Sequence, residues 1–310
     1  MRVLVTGAAG FIGSHLAEAL LDRGDAVVGL DGFIDSYPRS IKEANLAGPR
    51  TRTAFEFIEA DLRSDSLDEI LTGVDAVVHL AAMAGLSRSW EDFRLYQDCN
   101  LLAVQRLSEA ILRTGVPRLV HASTSSVYGT NALGDEDLPL RPVSPYGVTK
   151  LAAEQLVEAY GESHGLPWVI LRYFSIFGPR QRPDMGYHRF AEAILDGQPI
   201  TVFGDGRQSR SNTYIDDCVA GTIGALEGGR DHHVYNIGGG EEIDVLEAIS
   251  VLEEALGASA EIRFGSPRPG DQRRTLADYG RAARDFGYRP VVSPGEGLRR
   301  QAAWHRDGRR

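Results

Sequence analysis

The chain has 310 residues, 43% of them hydrophobic, and a formal net charge of −10. That length suits one large α/β domain, or a domain with a lobe, around a real core; the acidic balance disfavours nucleic acid and anionic membrane surfaces as partners. Cys99 and Cys218 are too few for a disulfide framework, no run approaches the roughly eighteen apolar residues of a membrane span, and MRVLVTG enters a strand pattern at once, so a cytoplasmic location is expected.

Short β-branched apolar runs alternate with helical patterns along the chain. VLVTG at 3–7 leads into the helix FIGSHLAEALLDRG, and DAVVGLD follows at 25–31. Further strand runs are AFEFIEAD, VDAVVHLAA, RLVHAST and WVILRYFS, with amphipathic helices NLLAVQRLSEAILRTG and YGVTKLAAEQLVEAYGESHG between some of them. This alternation predicts an α/β fold, a doubly wound parallel sheet covered on both faces. After Ser175 the pattern gives way to Gly/Pro/Arg-rich stretches, FGPRQRPDMG, FGDGRQSRSN and GSPRPGDQRR, which predict a smaller α/β lobe. The expected division is 1–174 plus 211–240 for a Rossmann domain and 175–210 plus 241–310 for a substrate-binding lobe.

TGAAGFIG places Gly7, Gly10 and Gly13 between a strand and a helix, with Phe11 and Ile12 opening that helix and Asp31 ending the next strand. Glycines there permit a tight turn and close approach of backbone to a pyrophosphate, and the helix N-terminus supplies N–H groups and positive dipole. Asp31 can accept bonds from the adenosine ribose, and its charge repels a 2′-phosphate, which favours NAD over NADP. Asp61 and Leu62, at the end of the third strand, are placed to flank the adenine; a solvated loop acid is the alternative for Asp61.

Tyr146 and Lys150 stand four apart on a helix and share one face. A phenol with a pKa of about 10 is a poor base near neutrality, but an adjacent cation stabilises its phenolate. Lysine's compact ammonium can bridge a ribose hydroxyl and the phenol where the wide guanidinium fork cannot. Lys150 is one of two lysines among thirty-three basic residues, so its identity at this spacing is informative.

TGAAGFIG, HLAA at 79–82, TSSVYG at 124–129, YGVTK at 146–150 and RYFSIFGPRQRPDM at 172–185 together resemble the extended short-chain dehydrogenase/reductase family, in particular its nucleotide-sugar epimerases. The similarity spans essentially the whole chain, and GPRQRPDM is most like the UDP-glucuronic acid 4-epimerases. The resemblance implies bound NAD, a UDP-sugar substrate between the lobes, and a homodimer formed through helices near 100–113 and 147–163, for which core packing in a monomer is the alternative. It implies Tyr146 as base, Lys150 as its electrostatic partner and Thr124 as the hydroxyl sharing the 4-OH proton. Cofactor contacts are implied for Leu80, Ala81, Ala82 and Tyr173 beside the glycine motif. The expected reaction inverts C4 through a 4-keto sugar, with no net redox.

Arg210, Arg268 and Asp271 match positions where the family meets diphosphate and uridine ribose, and Arg182, Tyr187, His188 and Arg189 are candidates near sugar or uracil. The family's acid after Arg210 is replaced by Ser211-Asn212, which leaves open what aims that arginine. Asn100 resembles a family asparagine tying its helix to the active-site strand; a helix cap is the plain alternative. Family dehydratases and decarboxylases carry an acid within the segment that here reads Thr124-Ser125-Ser126, so those reactions are disfavoured. Ser125, Ser126 and Ser175 can hold a C6 carboxylate by neutral hydrogen bonds, and Arg88 lies one position from an arginine of the glucuronate epimerases. UDP-glucose/UDP-galactose 4-epimerase stays open, as do another sugar-nucleotide dehydratase or dehydrogenase and a non-catalytic NAD sensor. No metal is expected: His232 and His233 lie in a polar loop.

Overall fold

The computed structural model describes residues 1–267 and 270–309. Fifteen strands occur among them: β1 (Arg2–Thr6), β2 (Ala26–Asp31), β3 (Phe55–Glu59), β4 (Ala76–His79), β5 (Leu119–Thr124), β6 (Asn131–Gly134), β7 (Trp168–Tyr173), β8 (Ile176–Phe177), β9 (Ile200–Phe203), β10 (Ser209–Ser211), β11 (Thr213–Tyr214), β12 (His233–Ile237), β13 (Glu242–Asp244), β14 (Ile262–Gly265) and β15 (Arg274–Ala277). Seven form one sheet in the order β12-β7-β5-β4-β1-β2-β3, every pair parallel. The predicted doubly wound sheet is therefore present.

Continuous apolar strands are what a sheet buried on both faces demands. In β1, Val3 and Val5 enter a core shared with Leu16 and Leu20 of the helix Phe11–Asp22, while Leu4 enters the opposite core with Leu107 and Ile111 of the helix Ala103–Thr114. The two-residue side-chain period of a strand thus splits one hydrophobic run between two layers. β1 is flanked by β2 on one side and β4 on the other, so strand order reverses there, the place where open α/β sheets bind ligands beyond the strands' carboxyl ends.

The remaining strands lie outside that sheet. One sheet runs β13-β10-β15-β6, and two pairs, β11-β8 and β14-β9, stand apart from it. β6 lies in a stretch expected within the cofactor domain but pairs with β15, Asn131 opposite Arg274. Helices Gly186–Leu195, Val245–Leu256 and Pro294–Asp307 pack together in the lobe.

Candidate active site

The glycine turn is held in the form a pyrophosphate requires. Gly7 has φ +72°, and a Cβ on Gly13 would stand 2.2 Å from the Gly7 carbonyl oxygen, so only glycine lets the helix start this close to the strand. Gly10 caps the helix Phe11–Asp22 without a side-chain bond, leaving first-turn N–H groups for a ligand. The β4 exit joins this cradle: the Leu80 N–H donates to the Thr6 carbonyl at 3.2 Å and the Ala81 N–H to Thr6 Oγ1 at 3.2 Å. Ala82 follows directly.

Asp31 ends β2 at 8% exposure, and its Oδ1 accepts the Phe33 N–H at 2.8 Å. Lys42 Nζ stands 3.7 Å from the same oxygen and donates to the Ile34 carbonyl at 3.1 Å. Asp61 is clamped bidentately by Arg63, with bonds of 2.7–3.0 Å that hold its carboxyl below the usual range. Its neighbour Leu62 is buried. These residues fit NAD: a turn with no room for Cβ atoms, an open helix N-terminus and an acid at the ribose position.

The helix Pro145–His164 starts at Ser144, whose hydroxyl accepts the Gly147 N–H at 3.1 Å, with Pro145 at its first position. A Cβ on Gly147 would lie 2.9 Å from the Ser126 carbonyl oxygen, so glycine here lets the helix lie against the loop that follows β5. That approach brings Thr124 beside Tyr146, close enough for its hydroxyl to favour the phenolate. Burial raises the Tyr146 pKa, opposed by the Thr124 hydroxyl and then by the Arg182 charge. Lys150, 3% exposed, donates to the Ala122 carbonyl at 2.7 Å; burial pushes its ammonium down to about 8, against the opposing pull of Glu154.

Beneath this pair lies an enclosed polar network. Arg172 meets Glu154 at 2.7 Å and the Tyr128 hydroxyl at 2.9 Å, Tyr128 donates to Asn236 at 2.7 Å, and Ser123 donates to Glu154. Asn100 does not cap a helix, and its ties run to the segment after β4 and to the helix carrying Tyr146 rather than to β5. It sits in the π-helical turn Asp98–Leu102, bonds both main-chain groups of Met83 at 2.8 and 3.0 Å, and donates to Thr149 at 3.0 Å.

Ser126 lies within 3.3 Å of Thr124 Oγ1, and Ser125 donates to Gln272 Oε1 at 3.2 Å, so a residue of the lobe reaches the β5 loop. Ser175 has φ +42°. That left-handed backbone is uncommon for a serine and fixes the direction in which the chain leaves β7. Arg182 is fixed by Asp184 at 2.8 and 2.9 Å, and its charge reaches Tyr146, Tyr37 and Tyr96. Arg88 donates to the Asp35 carbonyl at 2.9 Å, joining its helix to the loop after β2.

Arg189 and Asp271 line a cavity of about 220 Å³ with Asp184, Phe190 and strand β9. Arg210 lies near Asp271 and Tyr187, and burial lowers its pKa. Asn212 supplies the local support that its sequence left open, donating to the Tyr187 hydroxyl at 2.7 Å and to the Arg210 carbonyl at 3.2 Å. Arg268 lies outside the described residues.

His188 does not face the cavity: helical periodicity turns Gly186, Arg189, Phe190 and Ala193 toward it and His188 to the opposite side, where its ring lies 4.6 Å from that of His305. The Tyr173 hydroxyl is committed to Thr222 at 2.8 Å within the core, which leaves only its ring and backbone to meet a cofactor. Lys42 was missed, although its signal was the one that singled out Lys150: it is the other lysine of an arginine-rich chain.

Residues 3–238 match the family described as NAD dependent epimerase/dehydratase. The chain is 44% identical to the UDP-glucuronic acid 4-epimerase of Bacillus cereus solved with UDP-glucuronic acid and NAD, covering 99% of both chains with a TM-score of 0.96. It is 38% identical over 310 residues to the UDP-glucuronate 4-epimerase of Thermodesulfobacterium geofontis, covering 98% of this chain and 96% of the other. It is also 44% identical over 310 residues, 98% of each, to the Bacillus subtilis protein named uncharacterized UDP-glucose epimerase YtcB.

Proposed function

The chain belongs to the NAD dependent epimerase/dehydratase family, and on that premise we propose that it is a UDP-glucuronic acid 4-epimerase that interconverts UDP-glucuronic and UDP-galacturonic acids. The observation that carries this reading is the hydroxyl-only segment Thr124-Ser125-Ser126 beside Tyr146, in a chain so similar to an epimerase solved with that substrate. Dehydration or decarboxylation needs an added acid at that segment, and none is present there.

Gly7, Gly10 and Gly13, with the N–H groups of Phe11 and Ile12, hold the NAD pyrophosphate, and Asp31 holds the adenosine ribose. When bound, NAD supplies the nicotinamide that takes the C4 hydrogen with its electron pair and returns it to the other face. Tyr146, with the Thr124 hydroxyl beside it, accepts the 4-OH proton and gives it back after the ring has turned. Lys150 sets a positive charge beside that exchange. Arg210 and Asp271 grip diphosphate and ribose while the sugar stays free to turn.

Arg182, anchored by Asp184 and aimed at Tyr146, is the cation that meets the C6 carboxylate, supported by Ser125, Ser126 and Ser175. A 4-keto uronate loses CO₂ when its carboxylate bond aligns with the carbonyl π system, and fixing the carboxylate out of that alignment protects it. The division into 1–174 plus 211–240 and 175–210 plus 241–310 belongs to this proposal. So do a cytoplasmic location and a homodimer through the helices that expose Leu102 (40%) and Val148 (47%). No helix among the described residues is long and apolar enough to cross a membrane.

The test is incubation of purified protein, without added NAD, with UDP-glucuronic acid and separately with UDP-glucose, followed by NMR. Formation of UDP-galacturonic acid alone is expected. Turnover of UDP-glucose alone would overturn the sugar assignment in favour of the second reading, a UDP-glucose 4-epimerase, which the name of the Bacillus subtilis relative favours.

A further inference from the structure

On the face of the Gly186–Leu195 helix turned away from the cavity, His188 and Glu192 stand one turn apart and meet His305 of the C-terminal helix Pro294–Asp307. One ligand-capable atom from each of the three lies within 4.8 Å of the others. The tautomers follow from the partners. His188 Nδ1 is 2.8 Å from the Gln181 carbonyl, which can only accept, so Nδ1 carries the proton and Nε2 the lone pair. His305 Nδ1 is 2.6 Å from Glu192 Oε1, and the same reasoning leaves its lone pair on Nε2. That Nε2 is buried without a hydrogen-bond partner, in a residue 3% exposed.

We propose that His188 and His305 bind a divalent transition-metal ion of the zinc class through their Nε2 atoms, with Glu192 as the carboxylate that orients His305 and water completing the coordination. A histidine that ligates metal through one nitrogen while donating the other N–H to a carboxylate or carbonyl is the usual supporting arrangement of zinc sites, and both histidines have it here. The rings are 4.6 Å apart between centroids at 77°, so they do not stack flat and exclude an ion. Glu192 is itself held in place by Arg309, which fixes the carboxylate that orients His305. Imidazole donors with water select zinc, nickel or copper over magnesium or calcium. The ion would brace the helix that carries Arg189 into the cavity against the C-terminal helix.

The test uses the full chain without a histidine tag, NAD-bound and chelator-treated. It is titrated calorimetrically with zinc chloride and examined for visible ligand-field absorption with cobalt chloride. One ion per chain is expected, with a raised Tm. His188→Gln and His305→Gln should each weaken binding at least about 10-fold, as should Glu192→Gln, within the roughly 10–100-fold range of such outer-shell changes. Should His305→Gln fail to fold, the more exposed His188→Gln carries the comparison. Absence of saturable binding, or binding undiminished in His188→Gln, overturns the proposal; the latter result means an adventitious ion elsewhere.

Discussion

Lys42 Nζ lies 3.7 Å from Asp31 Oδ1, with both side chains almost enclosed at the end of β2. An acid at this position disfavours a 2′-phosphate, and the ammonium behind it is a ready phosphate partner once the acid is gone. Asp31→Ser should therefore weaken NAD binding about 10–100-fold, the worth of one or two charge-assisted hydrogen bonds, and narrow the preference over NADP. Nucleotide titration by fluorescence checks this; unchanged NAD affinity would remove Asp31 from the ribose site.

Tyr146→Phe keeps the ring and removes the proton acceptor. Turnover should fall by about 10²–10⁴ with Tm and NAD content unchanged. Thr124→Val, which removes the hydroxyl beside the phenol, should lower kcat more than it raises KM. Near-normal turnover in Tyr146→Phe would assign the base elsewhere.

The Lys150 ammonium, lowered from 10.5 to about 8 by burial, makes stability depend on pH with a definite sign. Between pH 8 and 10.5 the unfolded chain holds this proton and the folded chain does not, so stability rises with pH across that window, by roughly 3 kcal/mol from this residue. Tyr146, raised by burial, acts oppositely, and only above about pH 10. Chemical unfolding of nucleotide-stripped protein from pH 7.5 to 10 should show the rise in wild type and a flatter profile in Lys150→Met. Parallel profiles would refute the shift.

Arg172 and Glu154 form a buried ion pair at 2.7 Å, with side chains 4% and 1% exposed. Arg172→Met leaves the carboxylate alone and should destabilise the fold by about 3–5 kcal/mol. The double variant Arg172→Met/Glu154→Leu should recover much of that loss. Equal damage from both would show that the pair is needed for more than mutual neutralisation.

Arg182→Gln tests the carboxylate assignment. Turnover of UDP-glucuronic acid should fall about 10–100-fold, the loss of a charge-assisted contact, with little change for UDP-glucose if that sugar is turned over at all. An equal loss on both sugars would make Arg182 a partner of the phenol instead.

The sequence by itself determined the sheet, the glycine turn, the acid that ends β2 and the placing of Tyr146 and Lys150 on one helix. Each is a local signal: side-chain period in β1 and β7, backbone freedom at Gly7, and the four-residue spacing that places two side chains on one helix face. It also supplied the hydroxyl segment Thr124-Ser125-Ser126. What only the tertiary structure decided are contacts between segments far apart in the chain. Lys42 reaches Asp31 because the loop after β2 folds back; Gln272 returns from the lobe to Ser125, and Asn212 supports Arg210 through Tyr187. His188 faces His305 across more than a hundred residues, and no spacing motif encodes that meeting. Direction is the other element a linear pattern withholds. Tyr173 lies in a motif that points to the site and His188 just after it, yet strand alternation and helical rotation turn the hydroxyl of one into the core and the ring of the other to the far face. Which face is buried depends on the neighbour each element packs against, and that neighbour is chosen by the fold.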